Sequence, residues 1–392
     1  MALTLSIVKS IEIEGISMLH VDAIHCTGCS ACSNICPTGA IELCPDKRGF
    51  LYPEISIDKC IDCHLCEKVC MTKSDESYDN KPLSYYIAQL ENQYELQNCQ
   101  SGGASFALGQ VCLLGGGVAY GAQYVKCEVK HLKATSISEL ERTCGSKYVQ
   151  SNLRHCFSEI EDYLKHDTPI LFTGTSCQVD GLYRYLKASG TKTDLLYTLD
   201  VICHGVTSPL LLKDYIELIE KNNKCNIESI NMRDRRFSPL TKTVLSSSDG
   251  TLIFYNNYME LYYSNMALRD SCEFCKFTKK TNPADITIGD TVGLSNKYNK
   301  VINPSNPSSI LIVHTKKGED LLSKAKLNLI CIQESEFSQP NLEHPTIMSK
   351  KKNEFWKNYT NKGAAYAFKR YTSMGGIKTK IRRKVLRLIG RW

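Results

Sequence analysis

Two cysteine runs of the same form constrain this chain more than any other feature. Cys26-x-x-Cys29-x-x-Cys32-x-x-x-Cys36-Pro37 returns 34 residues later as Cys60-x-x-Cys63-x-x-Cys66-x-x-x-Cys70, with Met71 in place of the proline. Three thiolates at two-residue gaps wrap a short loop around one face of a cubane. The fourth, past a three-residue gap, starts a helix and points to a second cluster. The spacing therefore predicts two [4Fe-4S] clusters, one on Cys26, Cys29, Cys32 and Cys70, the other on Cys60, Cys63, Cys66 and Cys36. A segment so rich in cysteine and so poor in periodic apolar runs builds no core alone, so metal must hold it. Zinc is the weaker reading, because its sites pair cysteines across a dozen or more residues. Cys60-Ile-Asp-Cys63-His64 matches the covalent haem motif, but it lies inside the longer run and haem attachment requires export.

The chain has 392 residues, 20 of them cysteine, with 42% hydrophobic and 23% charged residues. That apolar fraction excludes a disordered chain, and the length suggests two or three domains. The longest near-apolar run, Val111–Ala122, is too short and too glycine-rich to span a bilayer. The opening residues, MALTLSIVKSIEIEG, lack the layout of a secretion signal. A cytoplasmic location is the expectation, and there the cysteines stay thiols and point to metal.

The expected fold class is α+β: a small bacterial-ferredoxin-like domain, a larger mixed α/β flavin-binding domain and a basic helical tail. We place the domains at 1–75, 83–345 and 346–392. Residues 1–20 alternate apolar and polar and read as edge strands. Residues 72–82, TKSDESYDNKP, read as a polar linker. Beyond it, apolar strand-like runs (Ile170–Thr173, Leu195–Ile202, Ile286–Ile288, Ile310–His314) alternate with helical stretches over 104–114, 153–165, 178–188 and 208–221. That order argues a partly parallel sheet.

The first segment resembles two-cluster bacterial ferredoxins. The rest carries six motifs in order: Ser101-Gly102-Gly103, Gly145-Ser146-Lys147-Tyr148-Val149-Gln150-Ser151, Phe172-Thr173-Gly174-Thr175-Ser176-Cys177-Gln178, Asp200-Val201-Ile202-Cys203-His204-Gly205, Ser271-Cys272-x-x-Cys275-Lys276-Phe277 and Ala284-Asp285-Ile286-Thr287-Ile288-Gly289-Asp290. Together they resemble the beta subunit of the deazaflavin-coenzyme (F-420) hydrogenase/dehydrogenase family over roughly residues 20–320. The resemblance implies FAD. It places Ser101, Gly102, Gly103, Ser146, Lys147, Tyr148, Gln150, Ser151, Thr173, Gly174 and Thr175 against the cofactor. Glycines before a helix and a strand-to-helix turn suit a pyrophosphate. It also implies a third [4Fe-4S] cluster on Cys177, Cys203, Cys272 and Cys275; read without it, these four are as readily buried thiols. The other cysteines (44, 99, 112, 127, 144, 156, 225, 331) show no ligand spacing and read as core.

A flavin beside clusters converts pair chemistry into single-electron flow. The expected function is an iron–sulfur flavoprotein oxidoreductase working between a small-molecule hydride donor or acceptor and a redox partner protein or ferredoxin. The alternative is a non-catalytic electron-carrier subunit. No side chain is singled out as catalytic; His204, Lys147 and Asp290 are proton-handling or orienting candidates, and equally framework residues. The chain departs from the family pattern at Ser176, where proline is usual. It also departs after Asp290, where an aromatic pair is missing, and over Lys279–Asn282, where an arginine is usual. These changes leave the hydride partner open.

Residues 350–392 hold 14 Lys/Arg against one acid, Glu354, so this end carries +13 while the remainder carries −6 of the net +7. Ile377, Ile381, Val385, Leu388, Ile389 and Trp392 recur at helical spacing among basic residues. The tail reads as a basic amphipathic helix that suits an anionic membrane surface at the inner face, an acidic partner, or packing back on the protein. No nucleic-acid partner is expected.

Overall fold

Apolar strand runs buried on both sides lead to a central sheet covered on both faces. The computed structural model describes residues 22–73, 80–234, 236–237, 243–301 and 307–376. The expected edge strands over 1–20, most of the linker and the basic helix from Ile377 lie outside the described residues.

The first part holds helix α1 (Ala31–Ile35), the hairpin β1 (Ile41–Pro45) and β2 (Leu51–Ile55), and helix α2 (Leu65–Lys68). The larger part continues with β3 (Ser84–Leu90), α3 (Gln93–Asn98), α4 (Ala104–Leu114), β4 (Val118–Val125), β5 (Glu128–Ala134), α5 (Ile137–Glu141), α6 (Cys156–Lys165), β6 (Ile170–Thr175), α7 (Ser176–Ser189), β7 (Leu196–Val201) and α8 (Pro209–Asn223). Then come β8 (Ile227–Asn231), β9 (Val244–Ser247), β10 (Leu252–Phe254), α9 (Asn257–Tyr263), β11 (Ile286–Asp290), β12 (Ser309–Val313), α10 (Lys316–Ser323), β13 (Leu327–Ile332) and α11 (Lys352–Tyr371), broken at Gly363. Eight strands form one sheet in the order β13-β3-β12-β11-β7-β6-β4-β5; β8, β9 and β10 form a small antiparallel sheet. The centre, β4-β6-β7-β11, is parallel, and the outer pairs are antiparallel.

Alternation along β6 serves two cores at once. Leu171 faces the layer of α4 and α10, whereas Ile170 and Phe172 face α6 and α7. Ala31 and Val69 of the cysteine-rich part belong to that second core. A third core joins α8, α9 and α11 to Phe50. Phe355, Trp356, Tyr359, Phe368 and Tyr371 are buried there, so the domain boundary expected at 345 is corrected: the packed structure runs on to about 371.

The cysteine-rich part is seated on the larger one. Arg269 is fully buried and donates from Nε to the Cys26 carbonyl (2.8 Å), from Nη1 to Gln150 Oε1 (3.0 Å) and from Nη2 to the Leu51 carbonyl (3.1 Å). Its guanidinium lies 4.0 Å from the centre of the Tyr52 ring. Gln150 Oε1 also accepts from Leu51 N (3.0 Å). Next to it, Asp270 pairs with Arg48 Nη2 (2.8 Å) and Lys352 Nζ (2.7 Å). Two glycines permit the approach. Gly28, at φ +70°, would place a Cβ 2.3 Å from Gln150 Nε2, and Gly49 would place one 2.1 Å from Leu210 Cβ.

Replacing Arg269 with Met keeps the volume but orphans buried carbonyls. Leaving each such acceptor unpaired costs about 1–3 kcal/mol. We expect the Arg269→Met variant to lose about 3 kcal/mol in denaturant unfolding of the anaerobic holoprotein; an unchanged midpoint would refute the seat.

Candidate functional site

The 34-residue repeat is written into the backbone. Gly28 (φ +70°) and Ser30 (φ +65°) in the first loop match Asp62 (φ +52°) and His64 (φ +55°) in the second, all left-handed. Each pair curls the chain so that successive thiols face inward, and each loop then enters its short helix, α1 or α2. Cys60, Cys63 and Cys66 line one cavity, and Cys36 from the other run lines it with them. Cys32 is pushed far up by burial and then by the thiols of Cys29, Cys26, Cys70 and Cys66 around it. Each run therefore sends its fourth cysteine to the other group. Cys36 Sγ accepts from Ala40 N (3.2 Å), and such donors, with Thr38, outweigh burial and hold this thiol below its ordinary range.

A second cavity is lined by Cys177, Cys203, Cys272 and Cys275, with Ser176, His204, Arg269, Phe277 and Leu342. Two strand ends and a short turn supply the four: Cys177 follows β6 at the start of α7, Cys203 follows β7, and Cys272 and Cys275 belong to the Asp270–Phe274 turn and its end. Burial pushes Cys177 up to about 12 and Cys275 up to about 11, with neighbouring thiols adding to it. Cys203 is raised further, by burial and then by Cys272, Cys177 and Cys275. Four buried thiols are costly as bare thiolates, and a bound iron–sulfur core removes that cost. Among the described residues no three His, Cys, Asp or Glu groups converge on one metal ion. The two cavities' thiols are linked through Cys29, which is raised by burial and then by thiols including Cys26 and Cys177. Gly181 in α7 makes that approach possible: a Cβ there would lie 3.0 Å from Cys29 Cβ and 3.1 Å from its Sγ. A helical glycine costs about 1 kcal/mol, and here it brings α7 close against Cys29.

The eleven residues expected at a flavin divide into two sets. Ser101 and Tyr148 meet around a part-exposed ion pair, the Tyr148 notch: Ser101 Oγ donates to Asp290, and Arg233 Nη1 donates to Asp290 Oδ2 (2.6 Å) and Tyr148 OH (3.1 Å). Tyr148 packs on Tyr262 and Tyr263, and His204 reaches the same rings from the cysteine cavity. Gly145, at φ +83°, has nothing within 4 Å of where its Cβ would lie, so the Gly145-Ser146 turn is open. The other set is engaged elsewhere. Lys147 Nζ donates to the carbonyls of Thr143 (2.7 Å), Cys144 (2.6 Å) and Arg142 (3.5 Å), which uses its three protons beyond the end of α5. Gln150 belongs to the domain seat, and Ser151 Oγ accepts from Gln178 Nε2 (2.8 Å). The Thr173 carbonyl meets His131 Nε2 (3.0 Å), and Thr175 caps α7 in a box with Gln178. Gly102 and Gly174 are packing glycines, pressed on the Ala88 carbonyl and the Phe172 ring, and Gly103 starts α4 at φ +73°. Arg233, Tyr263, Asn265 and Asn341 went unnoticed in the sequence. They lie outside the six motifs, and no spacing links them.

Residues 167–336 match a model of the C terminus of the coenzyme F420 hydrogenase/dehydrogenase beta subunit, and residues 25–74 match a 4Fe-4S dicluster domain. The chain is thus an iron–sulfur electron-transfer protein with two [4Fe-4S] clusters, linked to oxidoreductase chemistry. No curated protein matches it. Among solved structures it is similar to a chain of the F420-reducing [NiFe] hydrogenase complex from Methanosarcina barkeri. That chain is 16% identical, with a TM-score of 0.47, over 78% of this chain and 97% of that one. Among the described residues no helix is long and apolar enough to cross a membrane.

The larger part also buries a carboxyl behind its cysteine cavity. Ser176 Oγ donates to Asp200 Oδ2 (2.5 Å), and burial pushes Asp200 up to about 6 despite that bond. A carboxyl raised on folding favours the protonated state. Its contribution to stability is therefore full below the unfolded value of 3.8 and is lost as pH rises through about 6. We expect wild type to gain about 1 kcal/mol relative to Asp200→Asn between about pH 7 and about pH 5. Parallel pH dependences in denaturant titrations would refute this.

Proposed function

We propose that the chain is an iron–sulfur flavoprotein oxidoreductase, passing electrons between a small-molecule hydride donor or acceptor at FAD and three [4Fe-4S] clusters. Continuity carries this reading. The Cys66 thiol raises Cys32, the Cys177 thiol raises Cys29, and Cys29 packs on Gly181 of the helix that carries Cys177. His204 and Tyr262 then join that cavity to the Tyr148 notch. The proposed ligands are Cys26, Cys29, Cys32 and Cys70; Cys60, Cys63, Cys66 and Cys36; and Cys177, Cys203, Cys272 and Cys275.

The residues at the notch suit a planar, partly anionic ring system. Bound FAD would exchange electrons in pairs with the hydride partner and singly with a cluster. Arg233, clamped by Asp290 and Tyr148, offers a cation at the ring edge. Tyr148 and Tyr263 offer aromatic faces, and Ser101 steadies the carboxylate that holds the arginine. His204 is fixed between Asn265 Oδ1 (2.8 Å) and Asn341 Oδ1 (3.4 Å), which orients its ring at the cavity wall. Phe277 and Leu342 give the thiol cavity apolar walls. At the far end Cys63 is exposed and Ile61 is 63% exposed, an exit for single electrons to a partner protein.

One observation favours the second reading, an electron carrier without flavin: Lys147, Gln150 and Ser151 are all engaged in holding the fold. Anaerobic purification with iron, sulfide and flavin counted per chain separates the two. About twelve irons with one FAD supports the proposal. About eight with FAD removes the buried cluster but keeps the enzyme, and about eight without FAD after reconstitution leaves the carrier. Cys272→Ser should lower iron from about twelve to about eight while the dicluster signals persist. Arg233→Gln should weaken FAD retention roughly tenfold, the worth of a hydrogen bond to a charged group, with iron unchanged. Equal FAD retention in that variant would remove Arg233 from the site.

A further inference from the structure

Two cysteines outside every quartet meet in space. Cys99 Sγ and Cys144 Sγ lie 3.7 Å apart, although 45 residues separate them in the chain. Both read as isolated core cysteines in the sequence, since no ligand spacing joins them. Cys99 follows α3 and is buried, whereas Cys144 lies just beyond α5 and is half-buried. Gly103, left-handed at φ +73°, packs against Cys99.

We propose that Cys99 and Cys144 form a reversible disulfide by exchange with a small disulfide of the glutathione class. Three observations support it. A disulfide needs sulfurs at about 2.05 Å, a closure of roughly 2 Å or less from the present separation. Cys144 is the reactive member: the Cys99 thiol bonded to it, which outweighs burial, and then the nearby Lys147 ammonium hold it below the ordinary thiol range. Access also favours Cys144, because Glu141 beside it is exposed and the space over Gly145 is open. The thiolate, not the thiol, attacks a disulfide.

The steps balance. Cys144 thiolate attacks one sulfur of oxidised glutathione, an S–S bond forms to Cys144, and the first glutathione leaves as thiolate. Cys99, losing its proton, then attacks Cys144 Sγ, and the second glutathione leaves. The protein gives up two electrons and two protons; the two glutathiones take them as two thiols. The bond would tie the residue two before Ser101 to the residue before Gly145. Oxidation would thus clamp the turn that enters α4 to the loop that carries Lys147 and Tyr148.

The test uses the full-length anaerobic holoprotein, equilibrated with glutathione at stepped ratios of oxidised to reduced form. Samples are acid-quenched, alkylated under denaturing conditions, digested and read by mass spectrometry, with iron counted in parallel. The expected result is a Cys99–Cys144 cross-linked peptide that rises and falls reversibly with the ratio while iron stays constant. In Cys99→Ser the cross-link should be replaced by a single glutathione on Cys144. Both cysteines remaining fully alkylated at every ratio would overturn the proposal. So would separate glutathione adducts on each, or loss of iron before any cross-link forms.

Discussion

The buried guanidinium of Arg269 is the interaction on which the rest depends. It is satisfied by two backbone carbonyls and one amide oxygen and stacked on Tyr52. Every one of those acceptors lies in the cysteine-rich part or on the loop that grips it. Burial of an arginine is tolerated when its fixed fork of donors is filled, and this one is filled only when the two parts are joined. The seat therefore specifies a single relative placement. Arg269 also stands shortly before Cys272 in the chain and bonds the carbonyl of Cys26, so the same side chain sets the position of the inner quartet against the buried one.

Placement at strand ends explains the buried quartet. In a parallel sheet the carboxyl ends of neighbouring strands open at one edge, and β6 and β7 deliver Cys177 and Cys203 there. The Asp270–Phe274 turn brings the remaining pair across the gap. Arg269, at the head of that turn, is fixed by the cysteine-rich part. The cavity is thus completed by a segment whose position depends on domain docking, which couples the electron-carrying part to the part that holds the notch.

Much of this was legible because it rests on short-range rules. Helix α4 matches its expected span of 104–114, and α6, α7 and α8 lie close to theirs, since their apolar periodicity and caps are local. The place of Cys36 beside Cys60, Cys63 and Cys66 agrees with the spacing rule. The boundary at 345 failed for a physical reason. Basic residues dominate the composition past 350, but Phe355, Trp356, Tyr359, Phe368 and Tyr371 are buried together there. The role of Lys147 was hidden because a backbone carbonyl leaves no mark in a sequence. Arg269, Arg233 and the Cys99–Cys144 contact depend on pairs far apart in the chain, to which periodicity and spacing are blind.

The seating of Phe50 against Trp356 has a consequence for biogenesis. The two rings lie 5.6 Å apart, and Arg48 shares Asp270 with Lys352. A ribosome adding about 5–20 residues per second needs on the order of 15 s to a minute to travel from the second cysteine run to this helix. Throughout that interval the cysteine-rich segment is outside the ribosome with no completed surface to rest on. Its thiols are then open to iron-delivery machinery and to oxidants alike, and α11 adds the last described part of the surface on which Phe50 packs. The order of synthesis gives this segment a loading window before Trp356 and its neighbours arrive.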